Sequence, residues 1–180
     1  MSNRYVALDF EVMDTWRAAV CSVGCAVFEN GKLVETFYSL VRPPSKNENY
    51  YCVKTHGLTY EDVKDAPAFD VVWEKVDRLI GNSPVVAHNA AFEKSCIDAC
   101  SEEFGTKNDY VYIDTLKMSR RLLTESKKHT LIEACGRVGI RIKRYHNALD
   151  DAIACGKLFS ELSCLDNIKK EKQNGQERTN

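Results

Sequence analysis

The stretch Arg4-Tyr-Val-Ala-Leu-Asp-Phe-Glu11 is an apolar run of strand length that ends in two carboxylates one residue apart. Side chains alternate along a strand with a period of two, so Asp9 and Glu11 fall on the same face. Two carboxylates at the end of a buried strand are costly to desolvate unless positive charge lies between them, and a hard divalent cation is the usual solution. The same tripeptide also fits a strand that runs out into solvent carrying ordinary surface acids. Its meaning depends on what the rest of the chain brings to that end.

The 180 residues show no composition break, which predicts one domain over residues 1–166 followed by a polar, disordered tail at 167–180. Hydrophobic content of 44%, charged content of 28% and a net charge of -1 describe a soluble globular protein. No apolar run is long enough to span a bilayer and no basic-then-apolar leader is visible, so a cytoplasmic location without membrane contact is expected. The eight cysteines contain no Cys-x-x-Cys pair. Cys21 with Cys25, and Cys96 with Cys100, are spaced as small core side chains rather than as zinc ligands or disulfides. Charge is uneven: from Lys107 to Arg144 ten basic residues face four acids, with Arg141, Lys143 and Arg144 clustered at the end.

The order of elements follows from turn and capping signals. Ala18–Glu29 and Lys32–Val41 read as strands joined at Asn30-Gly31, the dipeptide suited to a type I′ hairpin, so the first forty residues form an antiparallel meander. Pro43-Pro44 ends the meander, and the polar stretch through Tyr51 reads as an irregular connection. Thr59 caps a short helix with Asp62 at its third interior position, and Asp70 caps the next, Val71–Ile80. Val85-Val86-Ala87 is a short strand apolar on both faces, as in a parallel sheet, and a helix follows it to about Glu103. A strand at Tyr110–Ile113 leads to a helix capped by Asp114 and running to about Leu123. A helix from Thr130 to Val138 and a last one from Asn147 or Ala148 to about Leu165 complete the chain. This order predicts an α/β fold, a mixed five-stranded sheet with helices on both faces and the first strand central.

In such a sheet the C-terminal ends of adjacent parallel strands open a crevice where ligands bind. Asp9 and Glu11 end the central strand, Glu93 starts the helix after a neighbouring strand, and His146 and Asp151 flank the start of the last helix. Oxygen ligands select Mg²⁺ or Mn²⁺, and a cluster this acidic can hold two ions about 4 Å apart, the arrangement that brackets a phosphodiester. A histidine of near-neutral pKa can take the proton from an attacking water. Asp150 lies about 100° round the helix from Asp151 and is expected in solvent.

Asp9-Phe10-Glu11, His88-Asn89-Ala90-Ala91-Phe92-Glu93 and His146-Asn147-Ala148-Leu149-Asp150-Asp151-Ala152 resemble, in order, the three motifs of the DEDDh 3′-to-5′ exonucleases, a family that includes the proofreading epsilon subunit of bacterial replicative DNA polymerase, RNase T and oligoribonuclease. Thr55-His56-Gly57-Leu58-Thr59 resembles the His-Gly-Ile-Thr loop that the family sets against the terminal nucleotide. The resemblance covers roughly residues 4 to 164 and implies a ribonuclease H-like fold. It implies stepwise release of nucleoside 5′-monophosphates from the 3′ end of a single strand, DNA favoured, and a DNA polymerase as a partner; oligomeric state does not follow. It implies that Asp9, Glu11 and Asp151 hold one metal ion, that Asp9 bridges to the second, that Glu93 acts there, and that His146 is the general base. Main-chain groups at Phe10 and Val12 would meet the terminal sugar, Leu58 and Phe92 the last bases. Asn89 would position the loop, and His88 is structural or lies on the substrate side.

Two departures stand out. The second motif ends in Glu93 where the family has aspartate, and Val12-Met13-Asp14 replaces the Thr-Thr-Gly that often follows the first motif. The longer Glu93 leaves an alternative open, a nucleic-acid-binding or polymerase-associated module of the same fold with weakened turnover. An endonuclease of that fold is a third reading, which the spacing of the histidine base disfavours.

Overall fold

The computed structural model describes residues 4–125 and 127–177, with side chains through residue 171. Its five strands are β1 (Arg4–Val12), β2 (Val20–Glu29), β3 (Lys32–Leu40), β4 (Val85–Ala87) and β5 (Tyr112–Asp114). They form one sheet in the order β3-β2-β1-β4-β5. β2 and β3 run antiparallel to their neighbours while β4 and β5 are parallel to β1, so the sheet is mixed and β1 is central, as the sequence predicts. Asn30 and Gly31 turn the hairpin with φ of 51° and 77°, the positive values a type I′ turn needs.

Alternation along β1 sorts its side chains into two cores. Val6, Leu8 and Phe10 enter the layer beneath α3 (Phe69–Ile80) and α4 (Ala90–Phe104), where Phe69 and Trp73 stack at 5.2 Å. Tyr5 and Ala7 face the opposite layer, filled by Leu158 and Leu162 of α7 (Ala148–Glu177) with Leu131 and Cys135 of α6 (Leu131–Arg137). Asp9 and Glu11 continue this second face beyond the hydrocarbon. Tyr5 fixes the packing: its ring stacks on Phe28 at 5.1 Å and its hydroxyl donates to the Gly156 carbonyl at 3.0 Å.

α7 reaches the sheet through an absent side chain. Gly24 pairs with Asp9 across the β1–β2 ladder, and a Cβ at Gly24 would lie 2.0 Å from the Ala148 carbonyl oxygen. Glycine therefore lets the first turn of α7 rest directly on β2 beside Asp9.

Four local expectations are corrected. The stretch from Asn49 is not irregular, because Asn49 accepts from the amides of Tyr51 and Cys52 and opens α1 (Tyr50–His56), closed by Gly57 at φ 78°. α3 starts at Phe69, since that ring is buried and belongs to the helix's apolar stripe; Asp70 sits in the first turn rather than at the cap. β5 begins at Tyr112, two residues later than expected. α7 runs twelve residues past the expected end at Leu165 and through most of the predicted tail, whose last positions, 178–180, lie outside the described residues. Asp166 accepts from Arg121 at 2.5 Å and pairs with Lys170 at 3.0 Å, and Lys169 donates to the Leu122 carbonyl, so this polar turn is tied to α5 (Thr115–Leu122). By contrast Thr59 and Asp62 make the expected cap: Asp62 accepts from the amide and hydroxyl of Thr59 at 2.8 and 2.6 Å before α2 (Tyr60–Val63).

Candidate active site

Three chain segments deliver acids to one end of the sheet. β1 contributes Asp9 and Glu11 on the α7 face. After β4, Asn89 takes a left-handed turn at φ 75°, and α4 starts at once, which puts Glu93 on its first turn, 2% exposed. Asp114 steadies that turn by accepting from the Asn89 amide at 3.2 Å while capping α5 through the amides of Leu116 and Lys117. Before α7, His146 takes φ 63°, and its own amide donates to Asp151 Oδ2 at 2.8 Å. That bond holds the histidine loop against the helix it precedes.

Asp9, Glu11, Glu93, His146 and Asp151 line a single cleft of about 630 Å³. One atom each of Glu11, His146 and Asp151 lies within 4.8 Å of the others. The electrostatics are those of excess negative charge. Burial, then the nearby Asp114 and Glu11 carboxylates, push Glu93 up to about 8. Burial and Asp151 push Glu11 up to about 8 as well. Asp151 rises to about 6 through burial, against the bond from the His146 amide. Asp9 is raised well above the carboxylate range by burial and by Glu93, Glu11 and Asp151 together.

Glu93 Oε2 and Asp151 Oδ1 are buried without a hydrogen-bond partner among the described residues. A buried carboxylate oxygen left unpaired costs a few kcal/mol, and here two occur among four mutually repelling acids. The donor set is mainly oxygen, and the missing element is positive charge. Hard divalent cations fit both conditions.

The residues expected to meet substrate divide. Phe92 lines the cleft and a smaller adjoining hollow, with the Arg17 guanidinium over its ring at 4.5 Å. Asn89 lines the cleft. Phe10 does so only from its backbone side, since its ring packs on Phe69 and Trp73. Val12 borders the hollow, but its carbonyl already accepts from His56 Nε2 at 3.1 Å. Leu58 borders neither cavity and packs with the small cluster around Met13, because α1 rather than the loop after it faces the hollow, through Tyr51 and Thr55. His88 is engaged internally: Nε2 donates to the His129 carbonyl at 2.8 Å and Nδ1 meets Thr115 Oγ1 at 3.0 Å. Both its nitrogens are thus occupied, while the residue itself lines the cleft together with His129. Asp150 is not solvated, because Arg144 covers it at 2.7 Å and leaves its side chain 12% exposed.

Sequence reasoning passes over Arg17 and Tyr145. Tyr145 borders the cleft with its ring 3.9 Å from that of His146, and only its place beside the histidine hinted at this. Arg17 lies in a loop with no motif of its own.

The sequence model of the RNase T exonuclease family matches residues 6–159. Fold and site together place the chain in that family, the DEDDh 3′-to-5′ exonucleases. It is similar to the PolC-type DNA polymerase III of Bacillus cereus, 29% identical over 165 residues covering 88% of this chain and 11% of that protein. The corresponding Clostridium perfringens protein is 28% identical over 87% of this chain and 11% of its own length. The chain thus spans about a tenth of these relatives. In fold it resembles the nuclease domain of 3′hExo, a DEDDh family member bound to rAMP, with a TM-score of 0.75, 16% identity, and 89% of this chain and 92% of that one covered. Exonuclease X in complex with 5′ overhanging duplex DNA gives a TM-score of 0.70 at 20% identity, covering 88% and 90%. Among the described residues no helix is long and apolar enough to cross a membrane.

Proposed function

We propose that this chain removes nucleotides one at a time from the 3′ end of a single strand, with DNA the favoured substrate, in a reaction that depends on two Mg²⁺ or Mn²⁺ ions. The observation that carries the reading is the pair of buried, partnerless oxygens, Glu93 Oε2 and Asp151 Oδ1, in a cleft shared with Asp9, Glu11 and His146. Asp9, Glu11, Glu93 and Asp151 supply the ligands. When bound, such ions lower the pKa of water and neutralise charge on the leaving oxygen.

The chain's own groups do the rest. Burial lowers the pKa of His146, so its imidazole is neutral near pH 7 and free to take the proton of the attacking water. No hydrogen bond holds its ring nitrogens among the described residues, which suits a group that has to move between water and solvent. Backbone at Phe10 meets the terminal sugar, and the Phe92 ring offers a face to the adjoining base. DNA is favoured because the similar full-length proteins are DNA polymerases, which also makes a polymerase the natural partner.

The second reading, a binding module with weakened turnover, starts from Glu93 in place of aspartate. Against it, Glu93 borders the same cleft as the other acids and has an oxygen to spare. Release of mononucleotide from a 3′-labelled strand, with Mg²⁺ and then with chelator, separates the two. Metal-dependent release that Asp151→Asn abolishes supports the enzyme; strand binding without release supports the module.

A further inference from the structure

We propose that the cleft continues as a basic track over the α5–α6 connection and α6, and that this track carries phosphates of the strand upstream of the cut. The proposal rests on the nuclease reading of the cleft. Three concavities share lining residues in series. The catalytic cleft shares Lys127 and Lys128 with a shallow groove of about 600 Å³ along α6. That groove shares Glu125 and Arg137 with a third hollow of about 350 Å³, bordered by Leu122 at the end of α5 and by Lys169 of α7.

Charge and space both suit a polyanion. With Arg120 in the cleft, and leaving aside Asp9, Glu11, Glu93 and Asp151 of the cleft itself, the path carries five cations against Glu125 and Glu133. Among the described residues Arg120, Lys127 and Arg137 form no ion pair, so their charge is not already neutralised by the protein. A Cβ built on Gly136, in the middle groove, meets nothing within 4 Å, so that surface is open. The track is also held in place. His88 fixes the connection through the His129 carbonyl, Thr130 donates to Glu133 at 2.9 Å, and Lys169 is anchored on the Leu122 carbonyl at 3.1 Å. The basic cluster that stands out in the sequence is placed differently: Arg144 is paired with Asp150, and Arg141 and Lys143 border none of the three concavities.

Phosphate contacts of this kind strengthen binding by releasing counterions, with a salt slope of about -0.7 per contact on single strands. The test measures kcat/KM of the full chain in Mg²⁺ on 3′-ended single strands from a dinucleotide upward, at low and moderate salt. Expected is a rise of roughly tenfold with length, carried by KM. In a Lys127→Glu/Arg137→Glu variant the rise shrinks to less than about threefold and the salt slope flattens by about 1.4. Gly136→Glu, which sets a carboxylate over the open groove while keeping every cation, reduces the rise in the same way. A native chain indifferent to length, or variants that keep the full rise, would overturn the track while leaving 3′-end cleavage standing. Absence of metal-dependent cleavage at every length would instead overturn the nuclease reading beneath it.

Discussion

The carbonyl of Ala148 passes through the space that a side chain on residue 24 would fill. Because Gly24 is the ladder partner of Asp9, this contact sets how closely Asp151, three residues along α7, approaches the acids of β1. A methyl there meets backbone rather than a yielding side chain. Gly24→Ala is expected to lower stability by about 3 kcal/mol, which is roughly 6–12 °C in Tm for a chain of this size, and to reduce nuclease activity at temperatures where the variant is still folded. Circular dichroism melts alongside a mononucleotide-release assay check both halves.

Glu93 serves stability and chemistry in opposite directions. Its burial among acids raises its pKa to about 8, so near that pH its charge costs folding energy in the metal-free protein. Glu93→Gln is expected to raise the Tm of chelated protein at pH 8 while lowering nuclease rate by at least about 100-fold. Glu93→Asp, compared in Mg²⁺ and in Mn²⁺, should keep activity within about tenfold of the native chain, because it shortens the carboxylate without removing it.

The pH dependence of stability has a definite sign. Glu11 and Glu93 at about 8 and Asp151 at about 6 lie above the ordinary carboxylate values near 4, so the folded metal-free chain binds more protons than the unfolded one between those limits. Stability therefore falls as pH rises through that window. Saturating Mg²⁺ should offset the loss, so the gap in Tm between metal-loaded and chelated protein should widen from pH 5 to pH 8. A gap that stayed constant would mean that these carboxylates do not hold the ions.

His146 stands at φ 63°, a left-handed position that asparagine tolerates better than alanine. His146→Asn should therefore keep the fold and the bond from its amide to Asp151 while removing the imidazole proposed as the base. The expected result is a fall in kcat of about 10²–10⁴-fold with little change in metal affinity, read by Mg²⁺ titration of thermal stability. A matching loss of metal affinity would assign His146 to ligation instead.

Much of this architecture was legible because it rests on local signals. Asn30-Gly31 specifies the hairpin, the apolar Val85-Val86-Ala87 run specifies a strand buried on both faces, and three ordered motifs name the acids and histidine of the cleft. Other features depend on contacts between distant residues. Asn49 as a helix cap is one polar residue among several before Tyr50, and only the observed bonds single it out. The extension of α7 past Leu165 has no apolar stripe to announce it, since its support comes from one ion pair and one hydrogen bond to α5. That Leu58 packs in the cluster around Met13 while Tyr51 and Thr55 border the hollow follows from α1, which the two prolines before it obscure. Arg144 belongs to the basic cluster that stands out in the sequence, and nothing in the order of residues shows that Asp150 turns toward it.

α7 carries Asp151 on its first turn and Leu158 and Leu162 further along in the second core, all on one uninterrupted rod. The catalytic end therefore has no separate hinge on this side, and fraying the rod would displace Asp151 and loosen the hydrocarbon layer together. Thermal inactivation and global melting should accordingly coincide, so that an Arrhenius plot of turnover breaks at the melting midpoint and not below it.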